Sequence, residues 1–265
     1  MSKEKILVIK IGGNIIDNEN ALRHFLKNFA KIDGKKILIH GGGKLATKLA
    51  DHLGIQQQMV NGRRITDIET LKIVTMTYAG WINKSIVAAL HAEQCDSIGV
   101  CGVDGALIPA TKRVVHDIDY GYVGDINSEN IQSDKLLQLL EIFGTVVIAP
   151  ITSNHEGQLL NTNADTIATH IACAMQNYYD ISLYFCFEKM GILSNPTDDS
   201  SVISSLDKNY YTNLRNSGNA KDGILPKLEN AFLAVEKNVS SVKIIHAEDL
   251  MEDISNNNKG TLIHA

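Results

Sequence analysis

The sequence predicts an α/β fold, a three-layer αβα sandwich around a large and mainly parallel central sheet. Two observations support this fold class. Short apolar runs of strand length alternate along the chain with longer runs whose apolar residues recur at helical spacing. Hydrophobic residues make up 44% of the 265 positions, which is enough to cover both faces of such a sheet with packed helices.

The order of elements in the first half follows from these runs. Strands are predicted at 6–11, 36–40, 97–101 and 145–150, and helices at 20–32, 44–53, 67–94 and 133–143. The segment 102–130 contains many Gly, Val and Tyr residues, so we expect short strands and turns there.

The same alternation continues in the second half. Helices are predicted at 163–175 and 223–238, and strands at 181–187 and 241–245. The polar segment 195–220 is rich in Ser, Asn and Asp, and we expect it to be a mobile excursion. One domain is expected over 1–265, with two lobes, 1–150 and 151–265, that share one sheet and divide near Pro150.

Composition excludes several classes of partner. The formal net charge of -5 argues against a nucleic-acid partner. No apolar run approaches the ~20 residues that a membrane-spanning helix needs. The four cysteines are scattered and form no C-x-x-C pair, which favours reduced thiols in a cytoplasmic protein and argues against a metal site.

Glycines follow the first two predicted strands, as Gly12-Gly13 and as His40-Gly41-Gly42-Gly43. In a parallel sheet these turns lie at the carboxyl ends of their strands, where ligands bind. Neither turn matches a P-loop or G-x-G-x-x-G. Gly12-Gly13 alone is explained by a tight turn, whereas three successive glycines favour close approach to a ligand. His40 either hydrogen-bonds near that ligand or has a structural role.

Charged residues near these turns are candidates for catalysis. Lys10 lies inside the first apolar strand and either contacts a phosphate or extends along an edge to water. Lys227 lies near the start of the last long helix, where a cation is disfavoured unless an anion is close. Asp165 either complements the dipole of its helix or orients the two lysines. Arg64 carries a fork that suits a carboxylate, although a surface turn explains it equally well.

Five motifs together resemble the amino-acid kinase family. They are Lys10-Ile11-Gly12-Gly13, His40-Gly41-Gly42-Gly43, Asn61-Gly62-Arg63-Arg64-Ile65-Thr66, Asn161-Thr162-Asn163-Ala164-Asp165, and Asp222-Gly223 with Lys227. The resemblance extends from about Ile6 to the C-terminus and implies the carbamate kinase-like fold. It implies ATP-dependent phosphorylation of the side-chain carboxylate of an N-acylated glutamate, by default N-acetyl-L-glutamate, in arginine biosynthesis.

The resemblance also implies a role for each matching residue. It assigns Lys10 and Lys227 to the transferring phosphoryl group and Asp165 to the orientation of both. The implied substrate-binding residues are Gly42, Gly43, Arg64 and Asn161, and the implied nucleotide or phosphate-binding residues are Gly12, Gly13, Glu188, Lys189 and Gly191. ATP would carry Mg²⁺ on its phosphates, with no metal cage built from protein side chains.

The sequence departs from the family in two places. Members often have a Ser-Asp-Val-x-Gly-like stretch after the strand at 181–187, and here the sequence reads Cys186-Phe187-Glu188-Lys189-Met190-Gly191, in which Phe187 and Glu188 change the chemistry beside the adenine and ribose. The chain begins close to its first strand and lacks the extra helix of arginine-inhibited members. The resemblance therefore implies a homodimer that arginine does not inhibit, with acylglutamate binding and dimerisation in 1–150 and ATP binding in 151–265.

Alternatives remain open at this point. Carbamate kinase, aspartokinase, uridylate kinase and glutamate 5-kinase share the lysines and glycine turns, although the arginine and asparagine motifs favour the acylglutamate branch. The acyl group could be succinyl, for which Arg63 is a conceivable partner. A ligand-binding sensor without catalysis is the alternative from another class, and the joint presence of Lys10, Asp165 and Lys227 argues against it.

Overall fold

The computed structural model describes residues 3–60, 63–195, 197–216, 224–256 and 258–265. Within these ranges there are fourteen strands. They are β1 (Lys5–Ile11), β2 (Lys35–His40), β3 (Gln58–Val60), β4 (Arg63–Ile65), β5 (Ser97–Cys101), β6 (Ala110–Lys112), β7 (Val123–Ile126), β8 (Thr145–Ala149), β9 (Ile151–Ser153), β10 (Leu159–Thr162), β11 (Asp180–Phe187), β12 (Ser205–Leu206), β13 (Ser241–His246) and β14 (Thr261–Ile263).

The same ranges contain ten α-helices. They are α1 (Gly13–Ile16), α2 (Glu19–Ala30), α3 (Gly43–His52), α4 (Ile68–Val74), α5 (Asn83–Ala92), α6 (Ser133–Phe143), α7 (Ala164–Met175), α8 (Lys208–Asn216), α9 (Ile224–Glu236) and α10 (Leu250–Asn256). A π-helical segment, Thr75–Ile82, joins α4 to α5, so the long helix predicted at 67–94 is confirmed as one helical path with a change of winding in its middle.

Eight strands form the central sheet in the order β12-β14-β13-β11-β1-β2-β8-β5. Every neighbouring pair is parallel except β13 and β14. The large, mainly parallel sheet predicted from the sequence is therefore confirmed. The last residue of β1, Ile11, is level with His40 of β2 and with Cys186 of β11. Both glycine turns consequently emerge side by side at one edge of the sheet.

Helices cover both faces of this sheet and complete the predicted three layers. Alternate β1 residues face opposite sides, with Val8 in one core cluster and Ile9 in the other. The Val8 side packs against α6, α7 and α9, whose buried residues include Ile167. The Ile9 side packs against α2, α3, α4 and α5, whose buried residues include Ile86.

A smaller sheet extends from the carboxyl end of β8. Its order is β6-β7-β10-β9, and β9 follows β8 after the single residue Pro150. The hairpin β3–β4 joins it through Thr66, whose N–H donates to Tyr120 O at 2.9 Å. These elements carry Arg64 on β4 and Asn161 on β10 to the edge where the glycine turns emerge.

The expectation of a mobile excursion at 195–220 is wrong for part of that segment. β12 and α8 lie within it, and Leu206 is fully buried. The Tyr211 ring lies 5.0 Å from the ring of Phe232 in α9. A few well-placed apolar side chains anchor the segment, although they are too sparse to give a periodic signal. Pro196 and residues 217–220 lie outside the described residues.

No helix in the described ranges is long and apolar enough to cross a membrane. All four cysteines, Cys95, Cys101, Cys173 and Cys186, are free and buried.

A buried ion pair fixes α10 against β13. Lys243 Nζ lies 2.7 Å from Asp253 Oδ1, and the two side chains are 4% and 0% exposed. The same oxygen accepts the Lys259 N–H at 2.8 Å, which ties the turn before β14 to this pair. Removing one member of such a pair leaves the other charge buried without compensation.

We expect Asp253→Asn to lower the free energy of unfolding by about 3 kcal/mol or more, because Lys243 would stay buried without its counter-ion. Glu69→Gln is the matched control, since Glu69 pairs with Lys72 on an exposed helix face. That change should cost less than about 0.5 kcal/mol. Urea unfolding of both variants measures the difference, and equal effects would contradict the structural role of the buried pair.

Candidate active site

Two lysines share one carboxylate at the carboxyl edge of the sheet. Lys10 Nζ, at the end of β1, lies 2.7 Å from Asp165 Oδ1. Lys227 Nζ, in the first turn of the described part of α9, lies 3.5 Å from Asp165 Oδ2. Asn163 caps α7 by accepting the Thr166 N–H at 3.0 Å, which places Asp165 in the first turn of that helix. The structure thus brings together Lys10, Asp165 and Lys227, the three residues that the sequence analysis proposed to act jointly.

The charges of this cluster depend on one another. Burial alone would raise the pKa of Asp165, but the ammonium groups of Lys10 and Lys227 outweigh burial and hold that pKa at about 2. Burial is also the largest influence on Lys10 and lowers its pKa, with Asp165 opposing the shift and Lys227 adding to it. Asp165 is therefore an anion at neutral pH, and its single charge faces two cations.

A cavity of about 370 Å³ opens beside Lys10. Its lining includes the predicted substrate-binding residues Gly42, Gly43, Arg64 and Asn161. The lining also includes Tyr78, Arg63 and Arg113, together with Asn163 and Asp165 at the start of α7. All four residues assigned to substrate by their motifs therefore surround one space.

Arg64 is buried in the wall of this cavity, with 9% of its surface exposed. It lies on strand β4 rather than in a turn, and its preceding residues Asn61-Gly62 lie outside the described residues. Its partners in the described chain are neutral oxygens: Gly43 O at 2.8 Å, Thr47 Oγ1 at 2.9 Å and Gln57 Oε1. A buried guanidinium held only by neutral groups is suited to an anionic ligand.

Gly42 occupies a backbone position that only glycine tolerates. Its φ is +151°, and a Cβ there would lie 2.2 Å from Ile82 Cδ1 and 3.1 Å from Tyr78 Cδ1. Both neighbours belong to the π-helical segment. Gly42 is also the N-cap of α3, so the loop ends at a helix N-terminus where N–H groups lack partners within the helix.

A second cavity, of about 550 Å³, adjoins the first. Both are lined by Lys10, Gly13, Gly43, Met59 and Arg64. The second cavity is also lined by Gly12, Lys44, Phe187, Glu188, Lys189 and Lys227. Lys10 and Gly43, the last residue of the glycine loop (Gly41-Gly42-Gly43), therefore lie where two ligand-sized spaces meet, and Lys227 lies on the side of the second cavity.

Gly12 does not supply a free N–H to this space. Its N–H donates to Cys186 O at 3.0 Å and so continues the pairing of β1 with β11. Gly12 lines the cavity, as expected of a phosphate-binding residue, but its N–H is not available as a donor to phosphate. Gly13 begins α1, where the first N–H groups have no partner within the helix.

The residues after β11 divide into two groups. Glu188 and Lys189 line the second cavity, and Lys189 forms an ion pair with Asp199 at 2.8 Å. Gly191 is absent from the lining of both cavities. A Cβ at Gly191 would lie 2.7 Å from Thr261 Oγ1, so close packing against β14 accounts for this glycine.

The sequence motifs did not identify Asn14 and Lys44 as residues of the second cavity. Asn14 Nδ2 donates to Glu188 Oε1 at 2.7 Å, and Asn14 Oδ1 accepts from Lys44 Nζ. Lys44 lies in the first turn of α3, directly after the three glycines. A lysine at the N-terminus of a helix indicates a nearby anion, and this observation, which identified Lys227, applies equally to Lys44.

The fold and this pair of cavities define a class of protein, and comparison with known families agrees. The model of the Amino acid kinase family matches residues 5–246. The chain therefore belongs to the amino acid kinase family, as its motifs predicted.

Three individual proteins illustrate the similarity within this family. Acetylglutamate kinase of Cytophaga hutchinsonii is 48% identical over 255 residues, which are 96% of each chain. The solved N-acetylglutamate synthase of Neisseria gonorrhoeae superposes on the whole chain with a TM-score of 0.83 at 20% identity, and the match spans 60% of that longer protein. Carbamate kinase of Giardia lamblia superposes with a TM-score of 0.70 at 15% identity, over 100% of this chain and 99% of its own. The two structures establish the carbamate kinase-like fold.

We expect Gly42→Ala to destabilise the protein by about 1–3 kcal/mol, because the new Cβ meets the buried Ile82 side chain and the backbone conformation becomes strained. Gly41→Ala is the control, since a Cβ at Gly41 has nothing within 4 Å. Thermal unfolding should show a Tm several degrees lower for Gly42→Ala alone. A Tm for Gly42→Ala that matches the wild type would refute the packing argument.

Proposed function

We propose that this protein is an acetylglutamate kinase, which uses ATP to phosphorylate the side-chain carboxylate of N-acetyl-L-glutamate in arginine biosynthesis. The product is N-acetyl-L-glutamyl 5-phosphate. The observation that carries the proposal is the meeting of two cavities at Lys10, Asp165 and Lys227. The name of the relative that is 48% identical over nearly the full length supports the same substrate.

We assign the cavity lined by Arg64 and Asn161 to the acylglutamate. Arg64 offers its guanidinium to the α-carboxylate, since its present partners are neutral and a charge-assisted bond to carboxylate is stronger. Asn161 holds its amide toward Thr66 Oγ1 at 3.1 Å and lines the same cavity. Gly42 and Gly43 let the backbone approach the reacting carboxylate.

We assign the adjoining cavity to the nucleotide phosphates. Gly13 at the start of α1, Lys44 in the first turn of α3 and Lys227 surround it with donors. Glu188 and Lys189 line its rim on the side that follows β11 and remain our candidates for nucleotide contact. Both lobes contribute to both cavities, because Asn161 lines the acylglutamate cavity and the glycine turns of residues 1–150 line much of the nucleotide cavity.

The reaction is a direct phosphoryl transfer. A carboxylate oxygen of the acylglutamate attacks the terminal phosphorus of ATP, and the bond to the ADP oxygen breaks. The attacking carboxylate has an ordinary pKa of ~4.3, so it is ionised near neutral pH and needs no general base. Lys10 and Lys227 offset the repulsion between the two anions, and Asp165 holds both ammonium groups in position.

Mg²⁺ is expected to accompany ATP on its phosphates, where it would supply further positive charge. Among the described residues, no group of three or more His, Cys, Asp and Glu side chains is placed to hold a metal ion. The protein's contribution is the lysines and N–H groups around the phosphate cavity.

We also infer a homodimer in the cytoplasm. Trp81 and Met76 on the π-helical segment are 71% and 54% exposed, which is an apolar surface suited to a second copy of the chain. Free cysteines are typical of a reducing compartment.

N-succinyl-L-glutamate is a second candidate substrate. Arg63 and Arg113 line the acylglutamate cavity and also a neighbouring space of about 510 Å³. Arg113 Nε donates to Asp125 Oδ1 at 3.0 Å, whereas Arg63, the first residue of β4, is exposed. A succinyl carboxylate would find positive charge there that an acetyl group does not need.

The proposed function predicts ADP release from MgATP only with an N-acylated glutamate. N-acetyl-L-glutamate and N-succinyl-L-glutamate are assayed side by side, with free glutamate as the control, and we expect N-acetyl-L-glutamate to be the better substrate. Preference for the succinylated compound that is lost in Arg63→Gln would select the second candidate. Activity on neither compound would refute the acylglutamate assignment.

Lys227→Met separates an enzyme from a sensor. Because Lys227 acts on the charge that develops during transfer, we expect kcat to fall by about a hundredfold or more while the Kd for ATP changes by less than about tenfold. Lys72→Met is the control, since Lys72 is paired with Glu69 on an exposed helix face and lines neither cavity. Steady-state kinetics and calorimetry measure the two quantities, and unchanged turnover would favour a sensor.

A further inference from the structure

His40, the last residue of β2, is fully buried directly behind the glycine loop. Its Nδ1 lies 2.8 Å from Gly41 O, and its Nε2 lies 3.3 Å from Asn83 Nδ2. The mechanism above uses neither contact. His40 contacts the loop through Gly41 O and is not among the residues that line the cavity, so its influence on the substrate passes through the loop backbone.

Gly41 O determines which ring nitrogen of His40 carries the proton, because a carbonyl only accepts and therefore requires an Nδ1–H. Asn83 Nδ2 lies against His40 Nε2, Val147 O at 3.1 Å and Val100 O at 3.4 Å, and its two hydrogens are shared among these three acceptors. Since carbonyls only accept, the Asn83 atom that faces them and His40 is the amide nitrogen. His40 Nε2 is then an acceptor and Nδ1–H donates to Gly41 O. Burial agrees with a neutral ring, because it lowers the pKa of His40 to about 4.

The contact with Gly41 O fixes the plane of the next peptide. A trans peptide directs its carbonyl and its N–H to opposite sides. When Gly41 O points back at the buried imidazole, the Gly42 N–H points forward, toward the cavity that Gly41, Gly42 and Gly43 line. Free rotation of this peptide would remove the N–H from the position where the reacting carboxylate is proposed to bind.

The π-helical segment supplies the rest of the support. Its extra backbone width brings Ile82 and Tyr78 against Gly42, and Asn83 follows at its end. Gly99 on β5 leaves room for the Asn83 side chain, because a Cβ there would lie 2.2 Å from Asn83 Oδ1. The π-helical segment thus packs against the glycine loop, and Asn83 at its end contacts His40, which orients that loop.

We propose that His40 is a positioning residue for the acylglutamate: its Nδ1–H, donated to Gly41 O while Nε2 lies against Asn83 at the end of the π-helical segment, holds the Gly42 N–H toward the reacting carboxylate. This inference rests on the proposed function for the identity of the ligand. The hydrogen-bond geometry itself is independent of that function. His40 contacts no substrate and acts through the loop alone.

Two substitutions test the role because they differ at the decisive nitrogen. His40→Asn keeps an amide N–H near the Nδ1 position, whereas His40→Gln places its amide near Nε2 and leaves Gly41 O without a donor. For His40→Gln we expect the KM for acylglutamate to rise about tenfold, with kcat and the KM for ATP within about threefold of wild type. His40→Asn should restore most of the affinity for acylglutamate.

Several outcomes of these kinetics would overturn the proposal. They are wild-type kinetics in His40→Gln, equal defects in His40→Asn and His40→Gln, and a rise of both KM values together. Loss of cooperative unfolding in either variant would also overturn it, since His40 would then be needed for folding rather than for orientation of the loop.

A substrate-free measurement keeps this inference separate from the proposed function. In protein labelled with ¹³C-carbonyl and ¹⁵N glycine, an amide-to-preceding-carbonyl correlation detects only Gly-Gly peptides, which end at Gly13, Gly42 and Gly43. We expect His40→Gln to shift the Gly42 and Gly43 signals and to leave Gly13 unchanged. No shift, or a shift of all three, would reject the role, whereas an inactive wild type would count only against the kinase assignment.

Discussion

One buried carboxylate between two ammonium groups determines where the major elements must meet. Asp165 can stay ionised in a buried position only if Lys10 and Lys227 both reach it, and they come from β1 and α9. The carboxyl end of β1, the start of α7 and the start of α9 therefore converge on one point. The cations keep an excess of positive charge there, and that excess is what a pair of anionic substrates requires.

The glycines around this point have different physical causes. Gly42 is required by its backbone conformation and by the side chains of the π-helical segment, and Gly191 by contact with β14. Gly12 continues the hydrogen bonding of the sheet. Of these three glycines, Gly42 lines a cavity and is required by its backbone conformation, Gly191 is required by packing outside both cavities, and Gly12 has its N–H committed to the sheet.

Much of the order of elements along the chain and of the polar site could be predicted from the sequence, because buried strands and charges in apolar surroundings leave local signals. Lys10 stood out as a cation in an apolar strand, and Asp165 and Arg64 carried motif positions. The π-helical segment could not be predicted, since no residue pattern in Thr75–Ile82 distinguishes π from α winding, and its contacts with Gly42 arise only in three dimensions. Asn14 gave no signal either, because an amide that bridges Lys44 and Glu188 does so only in three dimensions.

The position of β1 has a consequence for how the chain matures during synthesis. β1 is made first, yet one of its two neighbours is β11, which is made much later. Until β11 emerges from the ribosome, β1 presents an unpaired strand edge with Lys10 at its end. Neither Asp165 nor Lys227 is available to that lysine in the early chain. A nascent or truncated chain therefore exposes an aggregation-prone strand edge and a poorly compensated charge. If the ribosome stalls before β11, the released chain is a substrate for quality control rather than a partly active enzyme.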